Sequence, residues 1–222
     1  MPSLNGAVVL VTGANGGIGT QFVNEALARG AAKVYASART PRTWNDERIV
    51  PLALDVTDSA SIQVAVEAAP DVTVLINNAG ASIPSAGILT HTDEEIRRNV
   101  ETNFLGPLFV ARAFAPVLSA KDEATIIDIH SALSWYAVAG IYSATKAALW
   151  SATNSLRLEL APADDVHATD PKLDPAVLVR TVFDATEAGE YEVLADDTSV
   201  QLKAGLSAPL EAVYPQLVDA KA

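Results

Sequence analysis

Tyr142 and Lys146 stand four residues apart in the string Tyr142-Ser143-Ala144-Thr145-Lys146, so on a helix a phenol and an ammonium share one face. A phenol titrates near ~10 in isolation and is a poor acid or base at neutral pH. A cation one turn away stabilises the phenolate and brings that value closer to the range useful for proton transfer. Far upstream, Thr12-Gly13-Ala14-Asn15-Gly16-Gly17-Ile18-Gly19 offers a different chemistry. Glycines let the chain turn sharply and let a phosphate approach the backbone. A helix starting there would aim free N–H groups and its dipole at the anion. Gly13, Asn15, Gly16, Gly17, Ile18 and Gly19 are therefore candidate cofactor contacts. Each string has an ordinary alternative, a tight turn packed on a sheet or an amphipathic pair on a helix surface. Together they point to a nicotinamide-dependent oxidoreductase.

The elements that must position these strings follow from hydrophobic patterning. Apolar runs alternate with helical patterns, which predicts an α/β protein with a parallel sheet. Strands are expected at Ala7–Thr12, Lys33–Ala38, Ile49–Leu54, Val72–Ile76 and Thr125–Ile129. Helices are expected over Gly17–Arg29 and from Asp58 or Ser59, either of which can cap, through Ala68. A long helical region runs from about Asp93 to Ser119, broken near Gly106-Pro107, and another helix covers Ile141–Leu160. The last quarter is less regular: a strand at Val166–Thr169, a helix over Asp174–Ala188, a strand at Tyr191–Leu194 and a helical tail. With no repeat or linker, residues 1–222 read as one domain.

Composition narrows the classes. The chain has 222 residues, half of them hydrophobic, and a net charge of −12. That acidity argues against nucleic acid and anionic membrane as partners, since both want basic patches. No cysteine is present, so disulfide and thiolate chemistry are excluded, and the three histidines lack metal-ligand spacing. No apolar run is long enough to span a bilayer and the N-terminus lacks signal-peptide character, so a cytoplasmic protein is expected.

Arg39 refines the cofactor. At the end of the second strand of such folds an acidic side chain would bind the ribose hydroxyls of NAD, whereas an arginine can pair with the 2′-phosphate of NADP. Ser37-Ala38-Arg39-Thr40 carries no acid. NADP(H) is favoured, with NAD(H) the alternative; Arg42 could share or take over the role, and a solvated surface arginine is the plain reading.

With Asn77-Asn78-Ala79-Gly80 after the fourth strand, the chain resembles the short-chain dehydrogenase/reductase family in its compact single-domain form. The resemblance covers about Asn5 to Leu160 and includes the glycine turn, Asp55-Val56, Asn77 to Gly80, Asn103, Ser131 and the Tyr142/Lys146 pair, all in family order. It implies a Rossmann-like doubly wound parallel sheet flanked by helices on both faces. It further implies that Asp55 and Val56 contact the adenine and that Asn77, Asn78, Ala79 and Gly80 stabilise the central sheet and border the ribose. Asn103 would hold a helix kink and a proton relay, Ser131 would orient substrate, and Tyr142 and Lys146 would complete the site. Asp128 and His130 stand where many relatives carry asparagine and serine. By the same resemblance, the helices at about 101–119 and 141–160 would pair subunits into a homodimer or homotetramer.

The expected substrate is a hydrophobic ketone, aldehyde or secondary alcohol. Leu133, Trp135, Tyr136 and Val138, with Ser82 and Ile83, are candidate pocket residues, mostly apolar or aromatic. Packing of Trp135 and Tyr136 against a neighbouring subunit is an equal alternative. One feature departs from the family: the residues 163–170 leave room for a short strand but little for the usual turn and substrate cover. Either that segment is absent and the site is open, or a loop is not represented in the sequence, which is the preferred reading; intact mass against 23.2 kDa decides between them. A non-catalytic dinucleotide-binding redox sensor, and a reductase of an imine or another polarised double bond, are the remaining alternatives.

Overall fold

A computed structural model describes residues 4–81, 87–135, 137–160, 197–209 and 212. The chain falls into two compact units, Met1–Thr153 and Asn154–Ala222. In the first, five parallel strands are ordered β3-β2-β1-β4-β5. They are β1 (Val8–Thr12), β2 (Lys33–Ala38), β3 (Ile49–Ala53), β4 (Val74–Asn77) and β5 (Thr125–Asp128). The strand order reverses direction at β1, which pairs with β2 on one side and β4 on the other. Crevices open at such reversal points beyond the carboxyl ends of the strands.

The strands are apolar on both faces because helices cover both. On one face Leu10, Tyr35 and Leu75 pack with Ile62 of α2 (Ser59–Ala68) and Val110 and Phe114 of α4 (Gly106–Ser119). On the other, Val9, Val11, Val34 and Ile76 pack with Val23 and Ala26 of α1 (Gly17–Ala28). The period of two along each strand alternates residues between these clusters, so the register is fixed by both. The doubly wound parallel sheet expected from the sequence is therefore present. Pro51 is tolerated in β3 because that strand lies at the end of the order, where a missing N–H leaves no ladder partner unmet.

Local chemistry sets the helix ends. Of the two candidate caps for α2, Asp58 is used: its carboxylate accepts from the Ala60 N–H at 3.0 Å. Thr92 and Glu95 form a reciprocal capping box at α3 (Asp93–Val100). The expected break near Gly106-Pro107 is not a break. Helix α3 runs through a π-helical turn, Glu101–Leu105, directly into α4. There the Gly106 N–H reaches the Glu101 carbonyl, and the wider turn accommodates Pro107, which has no N–H to donate.

Helix α5 (Gly140–Glu159) follows a short 3-10 turn at Ala132–Ser134. In the second unit, Arg157 donates to Asn154 Oδ1 and α6 spans Asp197–Gly205. The strands and helix expected at 166–169, 174–188 and 191–194, and the segment 163–170, lie outside the described residues. Among the described residues no helix is long and apolar enough to cross a membrane.

Candidate functional site

A cavity of about 950 Å³ opens at the reversal point of the sheet. The glycine turn forms one wall with Gly13, Asn15, Gly16, Gly17, Ile18 and Gly19. Arg39 and Thr40 at the end of β2, Asp55 and Val56 after β3, and Asn78, Ala79 and Gly80 after β4 form the others. Every cofactor contact expected from the glycine motif and from these three strand ends thus lines one space.

The turn is shaped by close approach. Gly13 has φ +67°, and a Cβ on Gly19 would lie 2.3 Å from the Gly13 carbonyl oxygen. Thr12 Oγ1 accepts the backbone N–H groups of Asn78 and Ala79, both at 2.9 Å, and Asn78 Nδ2 donates to the Thr12 carbonyl at 2.9 Å. These bonds lock the turn after β1 to the segment after β4. Helix α1 begins with Gly16 as a cap that offers no side-chain acceptor. Its first N–H groups therefore have no partner within the helix. A Cβ on Gly17 would meet nothing within 4 Å, so space stands open over that helix end. An open space at uncapped N–H groups fits the phosphates of a dinucleotide.

The two arginines part company. Arg39 lines the cavity, near enough that its charge adds to the lowering of the Asp55 carboxyl. The larger cause there is the hydrogen bond from the Thr57 N–H, which burial opposes. Arg42 instead lies 3.9 Å over the Trp44 ring and donates to Thr20 Oγ1 at 3.2 Å. Asn15 holds the Arg39–Thr40 segment by donating to the Thr40 carbonyl at 2.7 Å.

Asn103, Ser131, Tyr142 and Lys146 do not line this cavity among the described residues. Asn103 joins the two regions. Its Oδ1 accepts the Ala81 N–H at 2.7 Å, and Ala81 is part of the cavity wall. Its Nδ2 lies 2.8 Å from the Ala81 carbonyl, 3.0 Å from Asn99 Oδ1 and 3.4 Å from Thr145 Oγ1. Thr145 sits on α5 between Tyr142 and Lys146. The fully buried Asn103 therefore spans from the cavity edge to the helical turn that carries the phenol and ammonium. It occupies the π-helical turn, where the widened backbone sets its side chain.

Lys146, buried on α5, donates from Nζ to the Ile129 carbonyl at 2.7 Å, with Nζ 5.9 Å from the centre of the Tyr142 ring. Burial pushes its ammonium below the usual value, and the Asp128 carboxylate opposes this. Ser131 Oγ accepts from the Leu133 N–H at 3.2 Å, which leaves its own proton available to donate.

Of the expected pocket residues, Leu133 is half-buried, while Trp135 is 70% exposed and meets Trp150 edge-on at 6.4 Å. Val138 is exposed. Ser82, Ile83 and Tyr136 lie outside the described residues. Sequence reasoning missed Arg98, Glu101 and Thr102, which line the cavity from α3 and the π-helical turn. It also missed Asn99, the buried acceptor beside Asn103; the i, i+4 spacing of two asparagines was the available signal.

Comparison with known proteins follows the same outline. A family model described as short chain dehydrogenase matches residues 7–171. The NADP-dependent 3-hydroxy acid dehydrogenase of Schizosaccharomyces pombe is 30% identical over 199 residues, covering 82% of this chain and 75% of that protein. A short chain dehydrogenase from Burkholderia cenocepacia, solved in complex with NADP, is 32% identical with a TM-score of 0.69 over 98% of this chain and 99% of that one. An NADPH-bound carbonyl reductase from chicken fatty liver is 30% identical, with a TM-score of 0.64 over 72% of each chain. Matches to other curated relatives span as little as 58% of the relative's own length.

Proposed function

The chain belongs to the short-chain dehydrogenase family, and on that premise we propose that it is an NADP(H)-dependent oxidoreductase acting on a hydrophobic ketone or aldehyde, or the corresponding secondary alcohol. The observation that carries this reading is the Asn103 bridge between a dinucleotide-sized cavity and the turn bearing Tyr142 and Lys146.

The glycine turn and the start of α1 would hold the phosphates, and Arg39 would meet a 2′-phosphate. Similarity to an NADP-dependent dehydrogenase and to two NADP(H)-bound structures supports that choice of dinucleotide. When bound, the nicotinamide supplies or accepts the hydride. Tyr142 gives its proton to the carbonyl oxygen in reduction and takes it back in oxidation. Lys146, on the same helix face, stabilises the phenolate left behind. Ser131 donates a hydrogen bond to the oxygen as charge develops on it. The apolar surfaces of Trp135 and Val138 support a hydrophobic substrate over an anionic one.

NADPH oxidation followed by absorbance against a panel of aryl ketones and aldehydes tests the proposal. Tyr142→Phe is expected to bind NADPH as the parent does and to lose roughly 100-fold or more in kcat, the usual worth of a positioned general acid. Near-parental turnover in that variant, or a parent protein that does not bind NADPH, would overturn the reading.

A further inference from the structure

Asp128 ends β5, and its two carboxylate oxygens tie that strand to two other elements. Asn77 Nδ2 on β4 donates to Oδ1 at 2.9 Å, and Thr153 Oγ1 on α5 lies 2.7 Å from Oδ2. The Thr153 hydroxyl is also 2.8 Å from the Leu149 carbonyl. It has one proton, and the charged acceptor takes it. The residue after Asp128 is Ile129, whose carbonyl accepts the Lys146 ammonium.

A buried ammonium bonded only to neutral carbonyls and hydroxyls is costly unless a counter-charge stands near. Lys146 is 5% exposed, and among the described residues no carboxylate comes within ion-pair distance of it. The Asp128 carboxylate on β5 is the charge that opposes its burial, and the Tyr142 ring on its own helix lies 5.9 Å from Nζ. Both groups that anchor Asp128, the Asn77 amide and the Thr153 hydroxyl, are neutral, so its charge is not spent on a local cation.

We propose that Asp128 is a positioning residue for the proton-transfer pair: its charge holds the Lys146 ammonium at the end of β5 beside Tyr142. The proposal rests on the oxidoreductase reading only for its consequence in turnover. The burial of Lys146 and the opposing pull of Asp128 on its titration agree with it.

Asp128→Asn removes the charge and little else. The amide oxygen can accept from Asn77, and the amide nitrogen can donate to Thr153 Oγ1, whose proton then swings to the Leu149 carbonyl. Thr153→Val does the reverse, deleting an anchor while leaving the carboxylate. Asp128→Glu keeps the charge and Asp128→Ser is a second neutral replacement.

The test follows the 13Cε resonance of Lys146 with pH in protein labelled at its six lysines, the signal being identified by its loss in Lys146→Arg. It needs neither cofactor nor substrate. In the neutral variants at 128 the titration midpoint should fall by about one pH unit, the low end of what loss of a nearby opposite charge produces. Thr153→Val and Asp128→Glu should stay near the parent midpoint. The high-pH limb of the kcat/KM profile for carbonyl reduction should move down with the resonance. A folded neutral variant with the parent midpoint overturns the proposal, and so does an equal shift in Thr153→Val, which would mark loosened packing as the cause. Retained turnover in Tyr142→Phe would refute the proposed chemistry while leaving the titration result standing.

Discussion

Gly17→Ala and Gly19→Ala should have opposite consequences, although they alter neighbouring positions of one helix start. A methyl group on Gly19 would sit 2.3 Å from the Gly13 carbonyl oxygen and 2.9 Å from Ala14 Cα, both backbone atoms that cannot rotate away. Overpacking of this kind costs about 1–3 kcal/mol. For a chain of this size that lowers Tm by roughly 2–12 °C, at about 2–4 °C per kcal/mol. A methyl group on Gly17 meets nothing within 4 Å and carries no backbone penalty, since no positive φ is required there. Alanine also has the better helix propensity, so stability should be unchanged or higher, by up to ~1 kcal/mol. The methyl group would, however, project into the space over the uncapped N–H groups of α1, where the phosphates of NADPH are proposed to lie. Affinity should fall at least tenfold, which is about 1.4 kcal/mol. Thermal unfolding without cofactor, beside calorimetric titration with NADPH, separates the effects. Parental NADPH affinity in Gly17→Ala would refute the assignment of that space to phosphate, and parental Tm in Gly19→Ala would refute the packing argument.

Arg39→Asp should weaken NADPH binding by roughly tenfold or more and move the NADPH/NADH preference towards NADH, because it removes the cation and adds a second carboxylate near Asp55. An unchanged ratio of the two dissociation constants would reject the 2′-phosphate role. Asn103→Ala strands the Ala81 N–H and Asn99 Oδ1 in a buried region, costing about 2–3 kcal/mol. It should lower Tm by roughly 4–12 °C; a shift below about 2 °C would mean that water replaces the amide. Asp55 carries a folded-state value depressed below its ordinary 3.8, chiefly by the Thr57 N–H. Its stabilising contribution is therefore complete above that ordinary value and is lost as pH falls through the folded one. The stability gap between the parent and Asp55→Asn should narrow on acidification below about pH 4, as read by urea unfolding; a gap that widens would reverse the sign.

The sheet was legible because its signal is redundant. Leu10 and Leu75 face one helical layer while Val9, Val11 and Ile76 face the other, so burial on both sides wrote continuous apolar runs into the sequence. Boundaries were less so. Val72 is buried and apolar yet precedes β4, while Asn77 is polar and belongs to it, because its side-chain N–H groups donate to the Pro107 carbonyl and to Asp128. Hydrophobicity cannot register a polar residue whose bonds come from elements far along the chain. The break expected within the helical region from Asp93 to Ser119 is absent for a related reason. Gly-Pro reads as a stop by local propensity, but a π-helical turn re-routes the Gly106 N–H to Glu101 and carries the helix through.

The same distinction explains which parts of the site could be read. Glycines at Gly13 and Gly19 are demanded by backbone contacts that no other residue permits, so the turn announces itself by type. Arg98 and Thr102 reach the cavity only because α3 and the π-helical turn present that face, and an arginine on an exposed helix has many other uses. Arg39 and Arg42 could not be separated by type at all. What separates them is Trp44 and Thr20, which engage Arg42 and leave Arg39 as the arginine on the cavity wall from that loop. Asn103 is the sharpest case. The family resemblance implies a helix kink and a proton relay for it, and its direct bonds run to Ala81, Asn99 and Thr145. Its contribution to chemistry should then be exerted through the placing of α5 against the cavity edge. An Asn103→Asp variant, which can still accept the Ala81 N–H but cannot donate to Thr145, should lose more in kcat than in NADPH affinity. Equal loss in both would return Asn103 to a purely architectural role.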